Sequence, residues 1–161
     1  MEFAIPRSRE NCLTVSVLIT PTDGCAYLFM LAYLWVAIGG ALGSVGRFWL
    51  NGLISGRFGE SFPIGTLIIN VTGSFAIGFF GTFTGTDGRW LAPVGVRQFF
   101  MIGICGGYTT FSSFSLQTLT LAQGGEWFRA GVNIVGSVVL CLVAVWLGHL
   151  LAANINSMKG S

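Results

Sequence analysis

The sequence is poor in charge. Only 9% of its 161 residues are Asp, Glu, Lys or Arg, against 53% hydrophobic, and mean hydropathy is +0.76. That leaves too few polar groups to cover a soluble globule of this size, so the chain reads as an integral membrane protein. It has no basic run and a net charge of only +2, so charge gives no argument for a nucleic-acid partner. Its one histidine, His149, has no second His or carboxylate beside it and reads as interfacial. With no nucleophile–base pair and no cluster of metal-ligating side chains, no enzyme reading is supported. The four cysteines, Cys12, Cys25, Cys105 and Cys141, lack the paired spacing of zinc or redox motifs. The last two stand inside apolar segments, where cysteine packs as a small, soft residue.

Long apolar segments are what the chain does have. About 20 mostly apolar residues cross a bilayer as a helix, and stretches near 31–53, 63–83, 94–121 and 127–151 all qualify. The expected fold is all-α with four transmembrane helices. Residues 1–30 differ: they hold Glu2, Arg7, Arg9, Glu10, Asp23 and two prolines, and their apolar run from Leu13 to Ile19 is too short to span. They are expected to form a flexible overhang, with Met30 as the physiological start, residues 31–152 as the transmembrane domain and 153–161 as a short tail.

The third segment is interrupted near its middle, in Gly103-Ile104-Cys105-Gly106-Gly107-Tyr108-Thr109-Thr110-Phe111-Ser112-Ser113-Phe114-Ser115. Adjacent glycines form helix poorly, and the threonine hydroxyls compete for backbone hydrogen bonds, so the helix is expected to break there. Unwound backbone at membrane depth belongs in protein or against a polar cavity, where freed carbonyls form an oxygen site for a cation. The alternative is that the glycines only admit a neighbouring helix. Phe111 and Phe114 share a helical face, with serines interleaved. Aromatic edges are electropositive and could hold an anion without a fixed charge, although phenylalanines in membrane helices usually face lipid or pack.

Two other segments carry polar stripes. Thr66, Asn70 and Ser74 fall at i, i+4 and i+8, as do Asn133, Ser137 and Cys141. Such stripes face protein or water; Asn70 either bonds two helices together or lines a polar path. In the first segment Gly39, Gly43 and Gly46 permit close helix approach. Arg47 is either an end-of-helix anchor or a resident of a water-filled vestibule.

The run GGYTTFSSFS, preceded by Gly103, resembles the third-helix motif of the Fluc (CrcB-type) fluoride channels. Gly39-Gly40-Ala41-Leu42-Gly43 with Arg47 resembles the family's first-helix pattern. Gly65-Thr66-Leu67-Ile68-Ile69-Asn70 with Gly73-Ser74-Phe75 resembles the second. The resemblance covers about residues 31–152 and implies a passive channel of the bacterial inner membrane that exports fluoride and relieves its toxicity. It further implies an antiparallel, dual-topology homodimer. One structural sodium ion would sit on the dimer axis, held by backbone carbonyls of Gly106 and Thr109. The anion path would draw on Asn70, Phe111, Phe114, Thr66, Ser113, Asn133 and Ser137, with Arg47 in a vestibule; Cys141 departs from the expected hydroxyl.

Counted from Met30, basic residues divide almost evenly: Arg89, Arg97 and Lys159 on the side of the termini, Arg57, Arg129 and Arg47 toward the other. A chain without positive-inside bias can insert both ways. Two further readings stand beside the channel. A proton-coupled exporter needs a membrane-embedded carboxylate, and Glu60, Asp87 and Glu126 fall in loops or at segment ends. A non-transporting scaffold would leave the two polar stripes unexplained.

Overall fold

The computed structural model describes residues 23–59, 61–86 and 88–158. Four long helices, α1 (Asp23–Phe58), α2 (Ile64–Phe83), α3 (Val94–Gln123) and α4 (Trp127–Ser157), make up nearly all of them. Each contains a stretch long and apolar enough to cross a bilayer, so the chain is a multi-pass, all-helical membrane protein. Their outer faces are apolar and open, Phe48 and Phe128 being more than four-fifths exposed, as residues that meet lipid should be.

Two helix ends differ from the expected boundaries. α1 starts at Asp23, so residues 23–30 continue the helix instead of belonging to the overhang. The reason is local: Pro21 precedes the run, an acidic residue stands at its N-terminus, and the stretch through Met30 holds one glycine and no proline. α4 likewise runs on to Ser157, through part of the expected tail. Residues 1–22, where the rest of the overhang was expected, lie outside the described residues, as does Lys159.

Glycines set the packing. A Cβ at Gly39 would fall on the carbonyl of Phe99, one at Gly43 on the carbonyl of Ile104, and one at Gly107 on the carbonyl of Gly40. α1 and the first half of α3 therefore lie backbone against backbone, with residue numbers rising in the same direction. A Cβ at Gly78 would meet Val145, and four residues further along each helix the Thr82 hydroxyl bonds His149 Nδ1 at 2.8 Å, so α2 and α4 also run parallel. The bundle is thus up-down-up-down, with the ends of α2 and α4 beside the starts of α1 and α3.

At that end the last carbonyls of α2 are capped from three directions. Trp90 donates its backbone N–H to the carbonyl of Phe83 at 3.3 Å, and Asn156 of α4 donates its amide to that of Thr82 at 3.2 Å. Arg97 of α3 donates its guanidinium to the carbonyl and hydroxyl of buried Thr84. A cation at a helix C-terminus also complements its dipole. This capping fixes α2 against α3 and α4 and so fixes the walls of the cavity between them.

Candidate functional site

α3 is not a uniform helix. Val94–Arg97 is α-helical, Gln98–Cys105 winds as a wider π-helix, and Gly106–Tyr108 returns to α. Thr109 (φ −79°, ψ 155°) and Thr110 (φ −151°, ψ 112°) are extended, and Phe111–Gln123 is α-helical again. Gly106 itself is helical, with φ −65° and ψ −37°. The departure therefore falls at the two threonines, three residues past the first glycine.

Two side chains hold that geometry. Thr110 caps the second half of α3, its hydroxyl accepting from the Ser113 backbone N–H at 3.2 Å. Asn70 of α2 pairs with the Thr110 backbone on both sides. Its Oδ1 accepts from the Thr110 N–H at 2.8 Å, and its Nδ2 donates to the Thr110 carbonyl at 3.1 Å. The side chain thus replaces the partners that the extended backbone has lost. Gly73, one turn along α2, makes the approach possible: a Cβ there would strike the Thr109 methyl and the Tyr108 ring.

A consequence for the carbonyls follows. In a continuous helix the Thr110 N–H would bond to the Gly106 carbonyl and the Ser113 N–H to the Thr109 carbonyl. Here the first goes to Asn70 and the second to the Thr110 hydroxyl. Both carbonyl oxygens lose their helical donors. Gly106 is exposed in the single chain, and a Cβ placed on it would meet nothing within 4 Å.

Beside this segment lies a cavity of about 340 Å³ between α2, α3 and α4. It is lined by Asn70, Gly73, Ser74 and Ile77 of α2, by Ser137, Val138 and Cys141 of α4, and by seven residues of α3 that include Gly106, Thr109, Phe111 and Phe114. None of the lining residues is charged. The Phe111 and Phe114 rings stand 5.4 Å apart, tilted by 48°. Phe114 is half-buried, whereas Phe111 is 77% exposed at the open side of the cavity.

Of the residues singled out from sequence, Asn70, Phe111, Phe114, Ser137, Gly106 and Thr109 meet at this cavity. The others lie around it. Ser113 is half-buried and accepts from the Thr110 hydroxyl at 3.0 Å, which leaves its own proton free. Asn133 is buried and donates to the Thr118 hydroxyl at 2.8 Å, while the Ser137 hydroxyl points to Asn133 Oδ1 at 3.5 Å. Thr66 is buried one turn before Asn70, outside the lining. Arg47 is half-buried on α1, also outside the lining, one turn beyond Gly43 and close to the level of Tyr108. Sequence reasoning did not single out Thr110 as a site residue. A Thr three residues before Ser113, opening an apolar run, was the available signal for a helix cap. Cys105 and Met101 also line the cavity, and only their spacing of four residues hinted at a shared face.

Comparison with known proteins agrees with this architecture. The family described as "CrcB-like protein, Camphor Resistance (CrcB)" matches residues 34–149. A protein of Opitutus terrae named "Fluoride-specific ion channel FluC" is 62% identical over 132 residues, covering 82% of this chain and all of its own. Proteins of the same name from Rhodospirillum rubrum and Methylocella silvestris are 64% and 59% identical over 126 and 129 residues. These alignments cover 78% and 80% of this chain and 98% of each relative. The matched span takes in all of α2 and α3, with the extended Thr109–Thr110 segment, and most of α1 and α4, and the chain belongs to the CrcB family.

Proposed function

We propose that this chain is a passive, fluoride-selective channel. It exports fluoride as an antiparallel homodimer in the bacterial inner membrane, with one structural sodium ion on the dimer axis. The observation that carries the reading is the cavity at mid-depth, where amide and hydroxyl donors meet the Phe111–Phe114 pair with no charged side chain in the lining. The names of relatives at about 60% identity give fluoride as the ion.

Fluoride is small and strongly hydrated. Moving such an ion unpaired into a low-dielectric medium costs tens of kcal/mol, so donors must replace its water. Asn70 spends one amide proton on the Thr110 carbonyl and keeps a second. The Ser113 proton is free, and the Ser137 hydroxyl is held only by a long bond. Ring edges of Phe111 and Phe114 add electropositive surface without a fixed charge, which lets the ion leave as well as enter.

The sodium assignment rests on the Gly106 and Thr109 carbonyls, both stripped of helical donors by Asn70 and Thr110. Hard oxygens of this kind suit sodium. When bound, the ion supplies a buried positive charge that favours a nearby anion at low dielectric. An antiparallel second copy fits the same reading. Gly106 and Phe111 are exposed in one chain although they border the cavity, and an antiparallel partner would cover both.

The test is fluoride efflux from proteoliposomes, read with an ion-selective electrode, with valinomycin and potassium dissipating voltage. Fast fluoride release without chloride release and without dependence on a pH gradient is expected. Release that requires a proton gradient would replace the channel by coupled transport, and no release from folded dimer would leave a scaffold.

A further inference from the structure

Tyr108 is the last helical residue before the extended Thr109–Thr110 pair, and it is held from two other helices. A Cβ at Gly43 of α1 would come within 2.8 Å of its backbone nitrogen, and one at Gly73 of α2 within 3.2 Å of its ring. Its hydroxyl stands 3.0 Å from that of Thr72 on α2. The direction of that bond follows from the surroundings of Thr72. Thr72 has one proton, and its Oγ1 lies 2.8 Å from the Ile68 carbonyl and 3.1 Å from the Ile69 carbonyl, which can only accept. The proton is committed to the backbone of α2, so Tyr108 donates to Thr72. The residue before Tyr108 is tied as well: the Gly107 carbonyl accepts from the Ser44 hydroxyl of α1 at 3.4 Å.

From these contacts we infer that Tyr108 is a positioning residue for the carbonyl pair of Gly106 and Thr109, acting through its hydrogen bond to Thr72. The two carbonyls are oriented by different means. The Thr109 carbonyl shares a rigid peptide plane with the Thr110 N–H, so the bond of that N–H to Asn70 fixes it. The Gly106 carbonyl belongs to the preceding turn, Gly106–Tyr108, which has two adjacent glycines and the backbone freedom they bring. Within α3 that turn is closed only at its end, where the Thr109 N–H and hydroxyl reach the Cys105 carbonyl at 2.9 Å and 2.8 Å. The bond from Tyr108 to Thr72 refers the turn to α2, two residues from Asn70, so one helix sets the direction of both carbonyls. The role given to the carbonyls rests on the sodium reading; the anchoring of the turn does not.

The test is a sodium titration of thermal unfolding, made on the full-length protein in detergent with potassium holding the ionic strength constant. Tyr108→Phe keeps the ring beside Gly73 and removes only the hydroxyl. Thr72→Val keeps the shape and removes the acceptor, whereas Thr72→Ser keeps the acceptor. The first two variants should each raise the sodium concentration for half-maximal stabilisation roughly threefold or more, as loss of one hydrogen bond would. Thr72→Ser should titrate as the wild type does, and the double variant Tyr108→Phe, Thr72→Val should be no weaker than the weaker single. A strut without a positioning role would instead lower the midpoint equally in sodium and in potassium and leave the titration unmoved, and that result would overturn the assignment. A shift in Thr72→Ser as large as in Thr72→Val would also overturn it, because the hydroxyl would then not be what matters. Wild-type protein whose midpoint ignores sodium would overturn the sodium reading itself, and this assignment with it.

Discussion

Asn70 combines two roles that are separable by substitution. Its carbonyl oxygen and one amide proton hold Thr110, its second amide proton is left over, and the residue lines the cavity. Asn70→Asp preserves the acceptor for the Thr110 N–H but removes both donors and sets a carboxylate against the Thr110 carbonyl and any entering anion. Fluoride efflux should fall at least 100-fold. The phenylalanines test the other half of the site. Phe111→Ile and Phe114→Ile keep apolar bulk but remove the electropositive ring edge. Each should abolish efflux while the variant still elutes from gel filtration as the wild type does. Wild-type flux in all three variants would rule out this path. The Phe pair and Asn70 stand out in the sequence mainly through the family resemblance, since their spacing shows only that they could share a lumen. The pairing of Asn70 with Thr110 does not stand out, since it spans 40 residues and depends on how α2 meets α3.

At the scale of the helix, the extended Thr109–Thr110 segment depends on partners that outcompete helical hydrogen bonds. Removing Asn70 as a partner lets the Thr110 N–H return to the Gly106 carbonyl. In Asn70→Ala, sodium should therefore stabilise the protein less than it stabilises the wild type. A ligand present at 100 times its dissociation constant adds about 2.7 kcal/mol. The sodium-dependent rise in unfolding midpoint, measured against potassium, should shrink by more than half. Helix packing gives a second check. Gly43→Ala places a methyl on the Ile104 carbonyl, and overpacking of this sort costs about 1–3 kcal/mol. Gly52→Ala, where a Cβ meets nothing within 4 Å, removes the glycine penalty and should gain up to about 1 kcal/mol. Thermal unfolding in detergent should move the two midpoints in opposite directions. Sequence spacing pointed to Gly39 and Gly43 as contact residues. It also included Gly46, which has only the Tyr108 ring at 4.0 Å. The π-helix of residues 98–105 left no legible trace, because its sequence, QFFMIGIC, has the composition of an ordinary apolar helix.

At the scale of the molecule, the question is which way the chain enters the membrane. Its up-down-up-down order puts Arg89 and Arg97 at the end shared by the starts of α1 and α3, and Arg57 and Arg129 at the opposite end, where Arg129 is paired with Glu126 at 2.7 Å. Arg97 is further engaged with Thr84. No end therefore holds a clear excess of basic residues among those described, and orientation is decided by small differences. If function requires two chains in opposite orientations, forcing one orientation should remove it. Three lysines added to the loop between α2 and α3 should retain that loop on the cytoplasmic side. Three added between α3 and α4 should do the reverse. Each variant expressed alone should give at least tenfold less fluoride efflux per unit of protein, and co-expression of the two should restore most of it. Full efflux from either variant alone would mean that one orientation suffices, and the antiparallel dimer would have to be abandoned even if the channel itself survived.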